Sequence, residues 1–236
     1  MSEKTLAGVF LFDALDEAER QKIERLCAWR WVKSGQQIVR AGSPSREVFF
    51  VIEGRAQVVN FSLSGKEIAF ASLSAGDCFG ELAALDGNPR SASVVAAEKT
   101  FLAVLPSSHF IDLLQRRVEV TFKVLDGLAR MVRSGDSRIM ELSTLAASQR
   151  VYAEILRMAV RDTAVPDLWV VRPLPPLREI ASRVSTTRET VARAMGQIYA
   201  SGLVKRKGRN LYLMDREQLE SKIDDLKVAV ADSLPS

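Results

Sequence analysis

Glycines 54, 65, 76 and 87 recur every eleven residues, and short β-rich runs lie around them. These runs are Val48-Phe49-Phe50-Val51-Ile52, Ala56 to Phe61, Ile68 to Leu73, Ser93 to Ala97 and Phe101 to Leu105. Short strands with turn signals at roughly 8–12-residue spacing are the mark of a sandwich or a barrel-like roll. That pattern fixes the first part of the chain. One acidic helix candidate, Asp13 to Leu26, precedes it.

From Val118 the apolar period lengthens to that of a helix. Leu125, Val132, Ile139 and Ala146 fall seven apart, with Leu128, Gly135 and Leu142 three residues further on. A seam of about four heptads suggests a dimerising coiled coil; the plainer alternative is one long helix packed on its own domain. Gly135 stands out, because glycine inside a helix costs ~1 kcal/mol relative to alanine. Something at that position is expected to need room. A further helix candidate, Arg150 to Val160, leads into a Pro-rich link, Val165-Pro166 and Pro173-Leu174-Pro175-Pro176. Leu177, Ile180, Ala181 and Val184 then sit at helical spacing, as do Val191, Ala194, Met195 and Ile198, with only Ser185-Thr186-Thr187 between the sets. Two amphipathic helices joined so tightly read as a helix-turn-helix. Gly202 to Met214 alternates around Lys207-Gly208-Arg209-Asn210, a hairpin with a basic tip that completes a winged helix. In the tail, Leu219, Ile223, Leu226 and Val230 repeat at helical spacing, to pack back on the winged helix or the roll, or to meet a partner.

Charge sharpens this reading. The chain has 33 Lys+Arg against 29 Asp+Glu, a net +4 that says little by itself. Between Arg178 and Asn210, however, Arg178, Arg183, Arg188, Arg193, Lys205, Arg206, Lys207 and Arg209 face only Glu179 and Glu189. That segment carries +6, and everything else carries −2. Basic charge gathered on a helix-turn-helix is the electrostatic footprint of a nucleic-acid interface. The second helix of such a motif places its first residues at base edges: Thr187, Arg188, Glu189 and Thr190, with Arg193 one turn on. Arginine suits the acceptor pair of guanine, and glutamate accepts from the cytosine amino group. Plainer roles stay open, since Thr186-x-x-Glu189 is also a capping box and Glu189 with Arg193 an i,i+4 pair. Lys205, Arg206, Lys207 and Arg209 are expected at phosphates, adding affinity without sequence choice.

Other function classes lose ground. A chain with 47% hydrophobic residues buries a real core, and no apolar run approaches the ~18 residues of a membrane span. The early acidic residues do not suit a secretion signal, so a cytoplasmic protein with no membrane partner is expected. Cys27 and Cys78 make no CxxC pair and His109 is the one histidine, so no metal site is expected. No cluster offers a nucleophile with a paired base, so catalysis is not expected.

The richest segment is Phe79-Gly80-Glu81-Leu82-Ala83-Ala84-Leu85-Asp86-Gly87-Asn88-Pro89-Arg90-Ser91-Ala92-Ser93-Val94. A glycine before a short helix start exposes backbone N–H groups able to hold an anion, with Arg90 to close on a phosphate and Glu81 to take a ribose hydroxyl. The segment closely resembles the phosphate-binding cassette of cyclic nucleotide-binding domains, FGELA followed by PR(S/T/A)A. With roll, long helix and winged helix in that order, the chain resembles the CRP/FNR family of bacterial transcription regulators, most of all its cAMP receptor branch. The resemblance implies an α+β chain: a jelly-roll-like cyclic nucleotide-binding β-roll domain at 1–116, a dimerisation helix at 117–146, and a winged helix-turn-helix DNA-binding domain at 147–236. It implies that Glu81 binds the ribose 2′-OH, Arg90 and Ser91 the cyclic phosphate, and the backbone at Leu82 and Ala83 the phosphate oxygens. Gly80 and Ala92 complete that cassette. Arg188-Glu189-Thr190-Val191 with Arg193 matches the family's recognition pattern for TGTGA-type half-sites, and Arg178 and Thr186 join that DNA face. Homodimers, double-stranded DNA and RNA polymerase are the implied partners. Two departures matter: Ser185 stands where the turn commonly has glycine, and Gly135-Asp136 stands where the cAMP receptor has a Thr-Ser pair at the base. Purine choice between cAMP and cGMP is therefore open.

The leading expectation is a homodimeric regulator that binds DNA when a cyclic nucleotide shifts a bistable dimer helix, bringing recognition helices to half-sites about 34 Å apart. One rival is a family member that is active empty or answers another ligand. The other is a nucleotide-binding module that controls an enzyme.

Overall fold

The structure, a computed structural model, describes residues 4–61, 67–163, 165 and 168–231. It divides into two compact units, Met1–Val132 and Arg133–Ser236. In the first, α1 (Glu17–Glu24) precedes eight strands: β1 (Ala28–Val32), β2 (Gln37–Val39), β3 (Val48–Glu53), β4 (Arg55–Phe61), β5 (Glu67–Ser74), β6 (Cys78–Phe79), β7 (Ser93–Ala96) and β8 (Thr100–Leu105). Between β6 and β7 lies α2 (Glu81–Asp86), and after β8 come α3 (Ser107–Arg116) and α4 (Val118–Thr144), whose residues from Arg133 onward belong to the second unit. The strands form two four-stranded antiparallel sheets, ordered β1-β8-β3-β6 and β2-β7-β4-β5, which make the expected roll.

The unbroken apolar run of β3 has a physical cause. Val48 and Phe50 enter one core with Leu6, Phe12, Phe110, Val120 and Val124, whereas Phe49 and Val51 enter the interior of the roll with Val32, Ala56, Phe79 and Leu102. A strand covered on both faces needs apolar residues at every position rather than at alternate ones. Gly54 joins β3 to β4 at φ +84°, where any Cβ would stand 2.4 Å from the Lys99 carbonyl oxygen. Gly65 lies outside the described residues.

The long helix appears where its seam was read. At 27 residues α4 is about 40 Å long. Val120 and Val124 are buried, while Val118, Phe122, Leu125, Val132, Ile139 and Leu142 are exposed. The seam stops short of Ala146, which lies at the N-cap of α5 (Ala147–Met158) with its amide held by Gln149 at 2.7 Å. Gly135 is not crowded within the chain, because a Cβ there would meet nothing within 4 Å. The acidic N-terminal helix is shorter than its candidate span. Asp16 accepts the Glu19 amide at 2.8 Å and so caps α1 at Glu17, and residues 10–12 make a separate 3-10 turn.

In the second unit α5 is followed by β9 (Val160–Arg161), β10 (Trp169–Val171), α6 (Leu177–Arg183), α7 (Arg188–Ala200), β11 (Val204–Lys207), β12 (Asn210–Leu213) and α8 (Arg216–Ala231). The strands pair in the order β11-β12-β10-β9. Ile180, Ala181, Val184, Val191, Ala194, Met195 and Ile198, read from the sequence as the inner faces of α6 and α7, meet Val204, Leu211 and Leu213 in one core. The tail helix packs back on this unit: Leu219 is fully buried in that core, and Gln149 donates to the Ile223 carbonyl at 2.7 Å. The side chains of Leu226 and Val230 lie outside the described residues.

Candidate functional site

The cassette is built around two glycines and one buried arginine. Gly80 ends β6 at φ +88°, and a Cβ there would fall 2.5 Å from Arg90 Nη1 and 2.8 Å from the Glu47 carbonyl oxygen. Only glycine lets the arginine in. Gly87, at φ +71°, closes α2 in the left-handed conformation that suits a helix C-terminus. Arg90 returns from ten residues on, 4% exposed, with every guanidinium nitrogen in use. Nε donates to Ser45 Oγ at 3.0 Å, Nη1 to the Gly80 carbonyl at 2.9 Å, and Nη2 to the Glu47 carbonyl at 2.8 Å and to its carboxylate at 3.3 Å. The Phe49 ring, itself stacked on Phe79, lies 5.5 Å from the guanidinium carbon. Burial lowers the Arg90 pKa, and the Glu47 carboxylate opposes that.

Glu81 starts α2, and its Oε2 is buried without a hydrogen-bond partner. Burial raises its pKa above the ordinary carboxylate range, against the opposing pull of its own backbone amide and of Arg90. An orphaned acceptor so placed is suited to a hydroxyl donor supplied from outside. Ala83 is buried, Leu82 and Ala92 are half-buried, and Ser91 is exposed. Glu81 also lines a cavity of about 180 Å³ whose walls are the turn at Phe10–Leu11, the corner Gly76–Cys78, and α4 at Val124, Gly127, Leu128 and Met131. Burial pushes the Cys78 thiol up to about 12, which keeps it protonated and inert. Gly135 and Asp136 are exposed and are not among the residues lining this cavity.

In the second unit the helix-turn-helix presents the predicted face. Thr187 is the N-cap of α7 and accepts the Thr190 amide at 3.2 Å, so the cap falls one residue later than the Thr186-x-x-Glu189 box. Thr186 is buried. Arg188, Glu189 and Arg193 are exposed on the first turns, and Thr190 is half-buried. Glu189 and Arg193 make no ion pair among the described residues. The Glu189 carboxylate is held below its ordinary range by its own backbone amide and then by the Thr187 hydroxyl. Arg178, Lys205, Arg206, Lys207 and Arg209 are exposed. Arg183, by contrast, turns inward onto Glu154 at 3.2 Å and Glu179 at 2.6 Å. Since Val204, Leu211 and Leu213 face α7 in the core, strand alternation sends Lys205 and Lys207 to the opposite face of the hairpin.

Residues 29–117 match the family of cyclic nucleotide-binding domains, and residues 149–222 match the Crp-like helix-turn-helix domain. The cyclic AMP receptor protein of Thermus thermophilus is 31% identical over 176 residues, covering 75% of this chain and 79% of the relative. The chain belongs to the CRP/FNR family of transcription regulators. A CRP-like cAMP-activated global transcriptional regulator of Mycobacterium tuberculosis is 25% identical over 187 residues, covering 78% and 83% of the two chains. Among solved structures, the Thermus thermophilus catabolite activator protein aligns over 92% of this chain and 99% of that one, with a TM-score of 0.52 and 27% identity. FixK2 from Bradyrhizobium japonicum shares the fold over 83% and 96%, with a TM-score of 0.70 and 23% identity. The CRP/FNR chain is thus a regulator rather than an enzyme. Among the described residues no helix is long and apolar enough to cross a membrane, and no cluster of three or more His, Cys, Asp or Glu residues gathers to hold a metal.

Sequence reasoning missed Ser45, Glu47 and Phe49, the three side chains that hold Arg90 in this CRP/FNR regulator. They lie 41–45 residues upstream, in a loop and strand with no motif of their own, so only the fold brings them in.

Proposed function

We propose that this CRP/FNR regulator acts as a homodimer whose rolls take cAMP or cGMP and whose winged helices bind a palindromic DNA site with TGTGA-like half-sites. The observation that carries the reading is the juxtaposition in the cassette of an orphaned, buried Glu81 oxygen with a buried Arg90 guanidinium. The first accepts a ribose hydroxyl. The second, with Ser91 and the first-turn amides at Leu82 and Ala83, holds a cyclic phosphate. Since Arg90 already binds Glu47, the phosphate takes the place of that carboxylate rather than filling an idle donor. Gly135 and Asp136 are assigned to the base side of the ligand. The exposed apolar stripe of α4 from Val118 to Leu142 supports pairing with a second copy, since large apolar side chains in such a row are a helix seam that water disfavours.

On the DNA side, Arg188 and Arg193 read guanine edges, Glu189 and Thr190 adjoin them, and the basic residues of the hairpin and Arg178 neutralise phosphates. Binding energy that differs between two dimer states does the switching, and RNA polymerase is the downstream partner. Titration of cAMP and cGMP into the protein, with and without a duplex carrying a TGTGA palindrome, tests the whole. One nucleotide is expected to raise DNA affinity at least tenfold. Tight DNA binding that ignores both nucleotides would instead favour a regulator active when empty, a reading that draws on Arg90 being satisfied by the chain's own groups.

A further inference from the structure

Residue 185 is the corner of the helix-turn-helix, and its backbone is the one non-glycine with positive φ among the described residues, at +53°. The chain there follows a Schellman ending. Val184 caps α6, Ser185 takes the left-handed position, and the Thr186 amide reaches back to the Ala181 carbonyl at 3.0 Å. Glycine is the usual residue at that position because a Cβ is disfavoured in the left-handed region. Serine must be held there by its surroundings.

Two guanidinium groups hold it. Arg150 of α5 donates through Nε to the Val184 carbonyl at 3.0 Å and through Nη1 to the Leu145 carbonyl at 2.8 Å. Arg138, on the C-terminal half of α4, donates through Nη2 to Ser185 Oγ at 3.3 Å. Arg138 is half-buried, and the carboxylates of Glu154 and Glu141 lie near its guanidinium. The same carboxylates bind Arg157, at 2.5 Å to Glu141 and more closely to Glu154, and Glu154 also binds Arg183 of α6. A charged network therefore runs from α4 through α5 to α6, and Arg138 carries it onto the side chain at the corner.

We propose that Arg138 is a positioning residue for DNA recognition: by holding the Ser185 hydroxyl it keeps a strained corner in place and so sets the direction in which α7 presents Arg188 and Arg193. The serine is what makes the arginine necessary. A glycine corner would adopt the same conformation unaided, so α4 would lose its grip on the recognition helix. Arg138 thus ties the C-terminal half of the long helix to the turn.

The inference rests on the proposed role of α7 in DNA binding, and the experiment separates the two. Four versions of the full chain are made: wild type, Arg138→Met, Ser185→Gly, and the double variant. Methionine keeps the aliphatic stem of the arginine and removes its donors. Affinity is measured for a TGTGA-palindrome duplex at saturating cAMP. With serine in place, Arg138→Met is expected to weaken DNA binding about fivefold, the scale of one ordinary hydrogen bond, as suits a contact of 3.3 Å. In the Ser185→Gly background the same change is expected to cost less than about twofold. Amide exchange at Thr186, which needs no DNA, is expected to accelerate with Arg138→Met only when residue 185 is serine. Equal losses in both backgrounds, or no loss in either, would overturn the proposal. Arg188→Ala, measured alongside, is expected to abolish specific binding whatever residue stands at 185; intact binding there would instead overturn the reading of α7.

Discussion

Glu47→Gln tests how the buried arginine is held. The Arg90 side chain is 3% exposed and that of Glu47 is 47% exposed, and their charged atoms are 3.3 Å apart. At that distance the Coulomb attraction is ~1 kcal/mol in water and several times that in a protein interior. With one partner half in solvent, the lower figure applies, so about 1 kcal/mol is assigned to the pair. Glutamine keeps the backbone carbonyl that Nη2 also binds at 2.8 Å and removes only the charge. The ligand-free protein is then expected to lose about 1 kcal/mol, seen as a Tm lower by about 2–4 °C. A bound phosphate restores an anion beside Arg90, so the complex does not carry that loss. By linkage the missing stability appears as affinity, and cAMP is expected to bind about fivefold more tightly. Calorimetric titration of wild type and Glu47→Gln, with Tm measured with and without cAMP, reads both quantities. Weaker binding would refute the reasoning, because it would mean that Glu47 orients Arg90 for the phosphate instead of competing with it.

Three further perturbations follow from the same geometry. Gly80→Ala places a methyl 2.5 Å from Arg90 Nη1 on a backbone at φ +88°, so it is expected to cost about 2 kcal/mol in stability and to remove nucleotide binding; an unchanged melting curve would contradict this. Burial raises the Glu81 pKa, so the ligand-free fold is favoured by this group at low pH and loses that contribution as pH climbs from about 4.5 through the raised value. A ribose hydroxyl donates more strongly to the ionised form, so cAMP affinity is expected to increase over that window and to lose the dependence in Glu81→Gln, as followed by titration at several pH values. Val132→Asp with Ile139→Asp puts two charges on the exposed stripe of α4; sedimentation is expected to show a monomer with weak operator affinity, and a persistent dimer would assign pairing elsewhere.

What was legible in the sequence was whatever a short window encodes. The glycine-punctuated β-rich runs, the heptad seam and the helical spacings located the roll, α4, α6 and α7 nearly to the residue, because each pattern repeats within its own element. The cassette was legible because Gly80, Glu81 and Arg90 lie within eleven residues and the glycine cannot be replaced at its φ. Three kinds of feature escaped. Short strands such as Gln37–Val39 and Cys78–Phe79 carry too few residues to show a period. The small fourth seam position, Ala146, fits a heptad equally well as a core alanine or, as found, the cap of the next helix. The third kind carries the proposed function. Glu47 reaches Arg90 across 43 residues and Arg138 reaches Ser185 across 47, and no local pattern marks either pair. The departure at Ser185 was visible as a missing glycine, but its consequence was not, since a strained serine and a distant arginine explain each other only once the fold has put them together. Motifs of this family name the residues proposed to meet ligand and DNA. The residues that hold Arg90 and Ser185 in place are scattered along the chain, so each side chain's orientation is set by a partner that no local motif contains.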